Sequence, residues 1–382
     1  MTERPEEGRS GRIGELAALF GRLGTTAFGG PAVHISMMHD EVVTRRAWMD
    51  DQRYLDLIGV TNLIPGPNST EMAMHVGQER AGWRGLVTAG GAFILPATLI
   101  VLVLAWAYVE YGDTPSGEAL LYGIKPVVVV IVAQALLKLG RSAVRGPMTA
   151  AVALAAAAAY VLGASELAIL GVGAIAILAL RRMGTPLLGV LPLGGLAVQA
   201  AADSASLERI FFVFLKAGAF LYGSGYVLLA FLQNDLVDRY SILTQQQLLD
   251  AVAVGQFTPG PLSTTATFIG YVLAGVPGAL VASIGIFLPS FVFVGAVTPL
   301  ARRIRDREWS AALLDGVNAA ALGLMAGVTL QLSGDAVVDF VTGSLAAVAA
   351  LVLWRTRVNT AWVVLGGAAA GLVGGLLDMA PV

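Results

Sequence analysis

Two Pro-Gly-Pro clusters, Pro65-Gly66-Pro67 and Pro259-Gly260-Pro261, interrupt stretches apolar enough to enter a membrane. Proline removes a backbone donor and keeps the preceding residue out of helical geometry, so a helix approaching either cluster must stop. Polar residues follow each break: Asn68-Ser69-Thr70 after the first, Ser263-Thr264-Thr265 after the second. Asn68 and Ser69 are expected to cap a new helix. A helix N-terminus at membrane depth offers unpaired N–H groups and the positive end of a dipole, which favours an anion. One break would read as a packing kink. Two in matching halves point to the binding site of a transporter.

The halves do match. The clusters lie 194 residues apart, and residues 28–70 align without gaps on residues 222–264. Gly29 meets Gly223, Arg45 meets Arg239, Gln52 meets Gln246 and Asp56 meets Asp250. After one deletion the offset becomes 193, where Gly82-Trp83-Arg84-Gly85 faces Gly275-Val276-Pro277-Gly278 and Leu95-Pro96 faces Leu288-Pro289. Gly123-Ile124-Lys125 still finds Gly316-Val317-Asn318. The chain is an internal duplication, divided into a polar tail (1–11), a first repeat (12–183), a linking apolar segment (184–206) and a second repeat (207–382).

Hydrophobic residues make up 56% of the chain and charged ones 13%, against about 25% charged in a soluble domain. Charge-free runs such as 85–109 exceed the roughly 20 residues a helical span needs. The alternation of a membrane barrel is absent, so the class is an all-α polytopic membrane protein. With no cysteine, disulfides and thiolate metal sites are excluded. A net charge of −2 offers nothing to a nucleic acid. No phosphate-binding loop, HExxH motif or nucleophile elbow is present, and neither an enzyme nor a cofactor is expected.

Each half should hold a first helix (12–31; 208–230), a broken pair of short helices, and four long helices. These are 84–109, 118–139, 147–163 and 165–181 in the first half, and 277–299, 309–332, 335–354 and 360–377 in the second. Arg80, Arg84, Arg141, Arg145 and Arg181-Arg182 belong on the cytoplasmic side by the positive-inside rule. In the second half the equivalent helix instead ends at Arg302-Arg303, so the repeats run in opposite directions across the bilayer. The N-terminus is then cytoplasmic. Whether residues 12–83 cross fully or re-enter is left open by the sequence, as is assembly into a homodimer.

Backbone amides and hydroxyls around Pro65, Gly66, Asn68, Ser69 and Thr70, and around Gly260, Ser263, Thr264 and Thr265, are the candidate anion contacts. Arg22, Lys125 and Lys216 are candidate anion-path cations, because intramembrane ionisable residues are functional by default, with snorkelling as the alternative. Glu71 and His75 share a helical face and, with His34, could relay protons; lining a helix interface is the competing role. Glu41–Arg45 and Asp235–Arg239 fit intrahelical ion pairs, and the tryptophans sit where interfacial anchors would.

The runs Gly29-Gly30-Pro31-Ala32-Val33-His34-Ile35 and Asn62-Leu63-Ile64-Pro65-Gly66-Pro67-Asn68-Ser69-Thr70-Glu71-Met72-Ala73 resemble the first-half signature of the chromate transporter family. Leu221-Tyr222-Gly223-Ser224-Gly225-Tyr226 and Val254-Gly255-Gln256-Phe257-Thr258-Pro259-Gly260-Pro261 resemble its second half. The resemblance covers about residues 12–377. It implies a bacterial inner-membrane protein that exports chromate, a tetrahedral oxyanion, at the expense of the proton motive force. Sulfate transport and a passive anion channel are the alternatives.

Overall fold

The computed structural model describes residues 9–183, 206–222, 225–297, 307–356 and 358–376. Most of the linking segment 184–206, the tail residues 1–8, Gly223-Ser224 and the arginines at 302, 303, 305 and 357 lie outside the described residues.

Among the described residues all regular secondary structure is helical. The first repeat runs α1 (Arg9–Thr26), α2 (Pro31–His39, continued by a π-helical turn Asp40–Arg45), α3 (Asp51–Thr61), α4 (Asn68–Tyr111), α5 (Pro115–Ala143), α6 (Pro147–Val161) and α7 (Glu166–Met183). The second runs α8 (Leu207–Phe220), α9 (Leu228–Leu232, continued by a π-helical turn Gln233–Arg239), α10 (Gln245–Phe257), α11 (Thr265–Val292), α12 (Glu308–Ala336), α13 (Phe340–Arg355) and α14 (Thr360–Leu376). Local chemistry sets many starts. Asp50 accepts from the Arg53 amide at the head of α3, Thr114 from Gly117 before α5, Thr244 from Gln247 before α10, and Asp339 from Thr342 before α13.

The helix expected at 84–109 is the second arm of a hairpin. In α4 the backbone leaves helical geometry at Ala81 and Gly82, where φ of Gly82 is +65°. The Cβ of Ala89 lies 2.7 Å from where a Gly77 Cβ would stand, whereas residues twelve apart on a straight helix are about 18 Å apart. Ala274 and Gly275 repeat the turn in α11 with nearly identical angles. The first helices are also shorter than expected, ending at Thr26 and Phe220 before their glycine-rich breaks. α13 starts at Phe340 rather than 335, because α12 persists to Ala336 and Asp339 then caps a new helix.

α3 has 11 residues, about 16 Å, and the first arm of α4 (68–80) is about 20 Å long. Neither crosses a hydrocarbon core of roughly 30 Å. An Arg53–Glu79 ion pair at 2.5 Å joins the start of one to the end of the other. The first break is therefore the tip of a re-entrant hairpin, and α10 with the first arm of α11 makes its counterpart. Backbone at such depth is tolerated only where protein or water, not lipid, surrounds it.

Packing repeats as the sequence does. α1 packs on α4 as α8 packs on α11; α5 packs on α14 as α12 packs on α7; α6 packs on α12 as α13 packs on α5. Glycines permit the closest approaches: a Cβ at Gly123 would meet the Gly367 carbonyl at 2.1 Å, and one at Gly316 the Gly173 carbonyl at 2.3 Å. Leu95, Leu99, Val103, Leu280, Ile284, Leu351 and Val373 stand exposed on the outer surface, an apolar exterior suited to lipid. Trp83, Trp106, Trp354 and Trp362 are exposed near helix ends, as anchors would be.

Candidate functional site

Each break is tied to the opposite repeat. The Gly66 amide donates to the Leu221 carbonyl at 2.7 Å, and the Gly260 amide donates to the Ala27 carbonyl at 2.9 Å. These bonds are equivalent under the 194-residue offset, and they hold the two tips at the seam between repeats. Gly66 adopts φ +145° and Gly260 φ +88°. A Cβ at Gly66 would fall 2.0 Å from Glu71 Oε1 and 2.5 Å from Ser290 Oγ; one at Gly260 would fall 2.6 Å from the Ala97 Cβ.

Those bonds correct part of the sequence reading. The glycine amides are engaged, and those of Thr70 and Glu71 donate to the Pro67 carbonyl. Asn68 and Ser69 do not cap the new helix: Pro67 occupies the cap position, and Asn68 is the first helical residue, its Nδ2 donating to Asn62 Oδ1 at 3.1 Å. Proline's fixed φ lets the helix begin directly after it. The amides left without a helical carbonyl are those of Asn68 and Ser69, which open the first turn.

The hydroxyls divide unequally. Thr264 Oγ1 donates to Pro261 O at 2.9 Å and Thr265 Oγ1 to Leu262 O at 2.8 Å, closing their own turns. Thr70 Oγ1 and Ser263 Oγ are buried without a hydrogen-bond partner among the described residues. At the second break the geometry therefore leaves Ser263, rather than Thr264 or Thr265, as the uncommitted hydroxyl.

A cavity of about 350 Å³ opens beside the first break. Asn62, Ile64 and Asn68 line it from the hairpin tip, Ser142 from the end of α5, Arg145 from the turn just past it, Asp315 and Asn318 from α12, and Tyr222 from the segment after α8. Its polar lining is mostly neutral donors. Among the described residues its one lining cation is Arg145, which pairs with Asp315 at 3.1 Å. At the first break Asn68 lines this cavity while Gly66, Pro67, Ser69 and Thr70 are buried; at the second, Pro259, Gly260, Pro261, Ser263 and Thr264 are buried and none of them lines it. Among the described residues, the first break touches this cavity through Asn68 and the preceding Asn62 and Ile64, and the second break does not touch it.

The second hairpin is sealed by its neighbours. α10 packs against α5, α12 and α14, whereas the substantial packing of α3 is with α4. Asp250, in the middle of α10, accepts from Tyr108 at 3.0 Å and faces Lys125 Nζ at 3.5 Å. The Tyr226 hydroxyl donates to Gln256 at 3.2 Å. These contacts join α4, α5 and α10.

The remaining candidates lie apart from the cavity. Arg22 pairs with Glu41 at 2.7 Å, and Glu41 also draws Arg45 and Arg46, at 3.0 and 3.3 Å. Lys216 pairs with Glu166 at 2.6 Å and with Asp235. The expected Glu41–Arg45 pair is present, while Asp235 turns to Lys216. Glu71 and His75 are buried on the first arm of α4, Glu71 against Ser290. His34 is buried, its Nε2 3.1 Å from Ala27 O and its ring edge-on to Phe93. Sequence reasoning did not single out Glu166, a lone glutamate at the start of an apolar helix. The residues bringing Asn318, Ser142 and Tyr222 to one cavity are too far apart in sequence to leave a local signal.

Two matching repeats, each carrying a Pro-Gly-Pro-broken hairpin whose tip is hydrogen-bonded to the other repeat, fit the architecture of a membrane transporter. Comparison with known sequences gives the family. The profile described as "Chromate transporter" matches residues 14–180 and 209–372. The chain is 34% identical to the "Chromate transport protein" of Cupriavidus metallidurans over 94% of its own length and 92% of that protein's. It is 31% identical to a "Chromate transport protein" of Pseudomonas aeruginosa, over 95% and 92% of the two lengths. It is also 31% identical to a "Probable chromate transport protein" of Synechococcus elongatus, over 89% and 90%. The chain belongs to the chromate transporter family. No solved structure matches it.

Proposed function

We propose that this protein is a secondary active transporter that exports chromate across the bacterial inner membrane, coupled to the proton motive force, with its N-terminus in the cytoplasm. The observation that carries the reading is the unequal state of two otherwise equivalent hairpins: one beside an open cavity, one closed over by α5, α12 and α14. Alternating access requires a fold that can hold one side open while the other is shut. The positive-inside rule turns the cavity, with Arg145 at its edge, toward the cytoplasm, where an exporter loads.

Chromate would bind at Pro65, Gly66, Asn68, Ser69 and Thr70, with Asn62, Asn318 and Tyr222 opposite. After the swap it would pass to Gly260, Ser263, Thr264 and Thr265. Neutral donors can hold a dianion without trapping it by full charge pairing. Lys125 would meet the anion once Asp250 withdraws, and Arg22 would line its path, while Lys216 is held off that path by Glu166 and Asp235. Glu71 and His75, just behind the first tip, and His34 beside it are proposed to couple proton movement to the hairpin.

A cradle of neutral donors reads shape and charge rather than the central atom, which also favours sulfate as a substrate. Radiolabelled chromate and sulfate flux in proteoliposomes, with and without an imposed pH gradient, tests the proposal. Chromate flux accelerated by the gradient is expected. Sulfate-only flux refutes the chromate assignment, and flux equal under both conditions refutes proton coupling in favour of a passive pore.

A further inference from the structure

A second charged cluster lies away from both breaks. Lys216 on α8 sits between two carboxylates: Glu166, from the first turn of α7, at 2.6 Å, and Asp235, from the π-helical turn after α9. Asn234 donates to the other Glu166 oxygen at 2.5 Å. Glu166 and Asp235 are each 1% exposed. One lysine against two carboxylates leaves an uncompensated negative charge when all three are ionised. Holding such a charge inside a membrane protein is costly, and one bound proton removes it.

The equivalent position in the first repeat is built the opposite way. Arg22–Glu41 repeats Lys216–Asp235, but the added partners there are the cations Arg45 and Arg46. The excess of carboxylates over their paired cation belongs to the Lys216 position of the second repeat.

Two further observations point to a proton. The Tyr160 hydroxyl on α6 is buried, has no hydrogen-bond partner among the described residues, and lies within electrostatic reach of Glu166 and Asp238. Asp238 itself is held by the Gln233 amide at 3.0 Å. A pocket of about 420 Å³, lined by Glu208, Arg209, Arg239 and Tyr240, reaches Lys216 and Asp235. It opens at the head of α8, which the inverted topology assigns to the periplasm.

We infer that Glu166, Lys216 and Asp235 form a proton-binding site: a proton from the periplasm enters through this pocket and is shared by the Glu166 and Asp235 carboxylates. The inference rests on the transport reading above. The cluster joins α7, packed on α6 and α12, to α8 and the turn after α9, so loading and losing the proton changes the tie between them. Each cycle forms and breaks one O–H bond and leaves Lys216 charged.

The test uses the full chain in proteoliposomes and two assays: chromate flux driven by a pH gradient, and chromate–chromate exchange at equal pH, which moves no net protons. Glu166→Gln should cut gradient-driven flux at least about tenfold while leaving exchange within about twofold. Asp235→Asn serves as the second variant should the first fail to fold. Gradient-driven flux retained at the wild-type rate overturns the inference. Loss of both fluxes together, or of folded protein in both variants, also overturns it, by assigning the cluster to structure alone. Wild-type flux indifferent to the gradient would remove proton coupling itself, a failure visible before any variant is made.

Discussion

The hairpin of α3 and α4 and the hairpin of α10 and α11 share a break, a turn with matching backbone angles and a bond to the opposite repeat, yet they occupy different surroundings. Leu55 on α3 is 57% exposed, and its counterpart Leu249 on α10 is fully buried. Asn62 is exposed beside the cavity, and its counterpart Gln256 is buried. Asp250 has Lys125 and Tyr108 against it, while at the matching site on α12 Lys125 is replaced by Asn318. One fold, used twice, is held in two states at once. The difference teaches that the asymmetry lies in the packing of the hairpins on the helices around them, not in the hairpins.

The largest effect is expected at the tip. Gly66→Val places a branched side chain at φ +145°, 2.0 Å from Glu71 Oε1; strain and overpacking together should cost on the order of 3 kcal/mol or more. The thermal midpoint of the purified protein should fall and chromate flux should vanish. An unchanged midpoint would mean that the tip is not packed as described.

Lys125→Met removes the cation facing buried Asp250. Stranding that carboxylate should cost about 3 kcal/mol in chemical denaturation. Lys125→Met combined with Asp250→Leu should recover much of the loss. Additive losses would deny that the two residues act as a pair.

The native chain contains no cysteine, so single cysteines report directly on the two states. Asn62→Cys should react with a hydrophilic thiol reagent about tenfold or more faster than Gln256→Cys, as exposure governs thiol reactivity. Equal rates would erase the comparison. In the Lys125→Met background Gln256→Cys should gain reactivity as α10 loosens from α5.

Thr70→Val should weaken chromate binding by about 1 kcal/mol, roughly fivefold, read by titration, without changing stability. Thr264→Val should do less to binding, because its hydroxyl is already engaged by Pro261 O. The reverse order would show that the second break, not the first, holds the anion in this state.

The smallest effect is expected outside the spans. Asp339 caps α13 where the first repeat has Gly146 before α6. Asp339→Gly should cost only a few tenths of a kcal/mol. The Thr342 amide and the Tyr122 hydroxyl hold the Asp339 carboxyl below its ordinary range. Its contribution is therefore complete above about pH 4 and lost as pH falls through the lowered value. The pH profile of the Asp339→Gly variant should lack that acidic loss.

Much of the architecture was legible because it rests on local chemistry. Apolar runs must become helices in lipid, proline must stop them, and a gap-free match of residues 28–70 on 222–264 must fold alike. The hairpin turns were less legible. Gly82 and Gly275 stood out as a matching pair, but nothing local distinguishes a helix start from a reversal. The pairs Lys216–Glu166 and Lys125–Asp250 join residues 50 and 125 positions apart, beyond any periodicity.

The sequence alone determined that this chain is a duplicated membrane protein with two polar breaks, because helix formation, chain reversal and burial of apolar surface follow from neighbouring residues. Which break faces the cavity, which amides are already bonded and which cations are neutralised were decided by tertiary structure. Those properties depend on what the other repeat places within a few ångströms, and two nearly identical stretches of sequence can be given different neighbours.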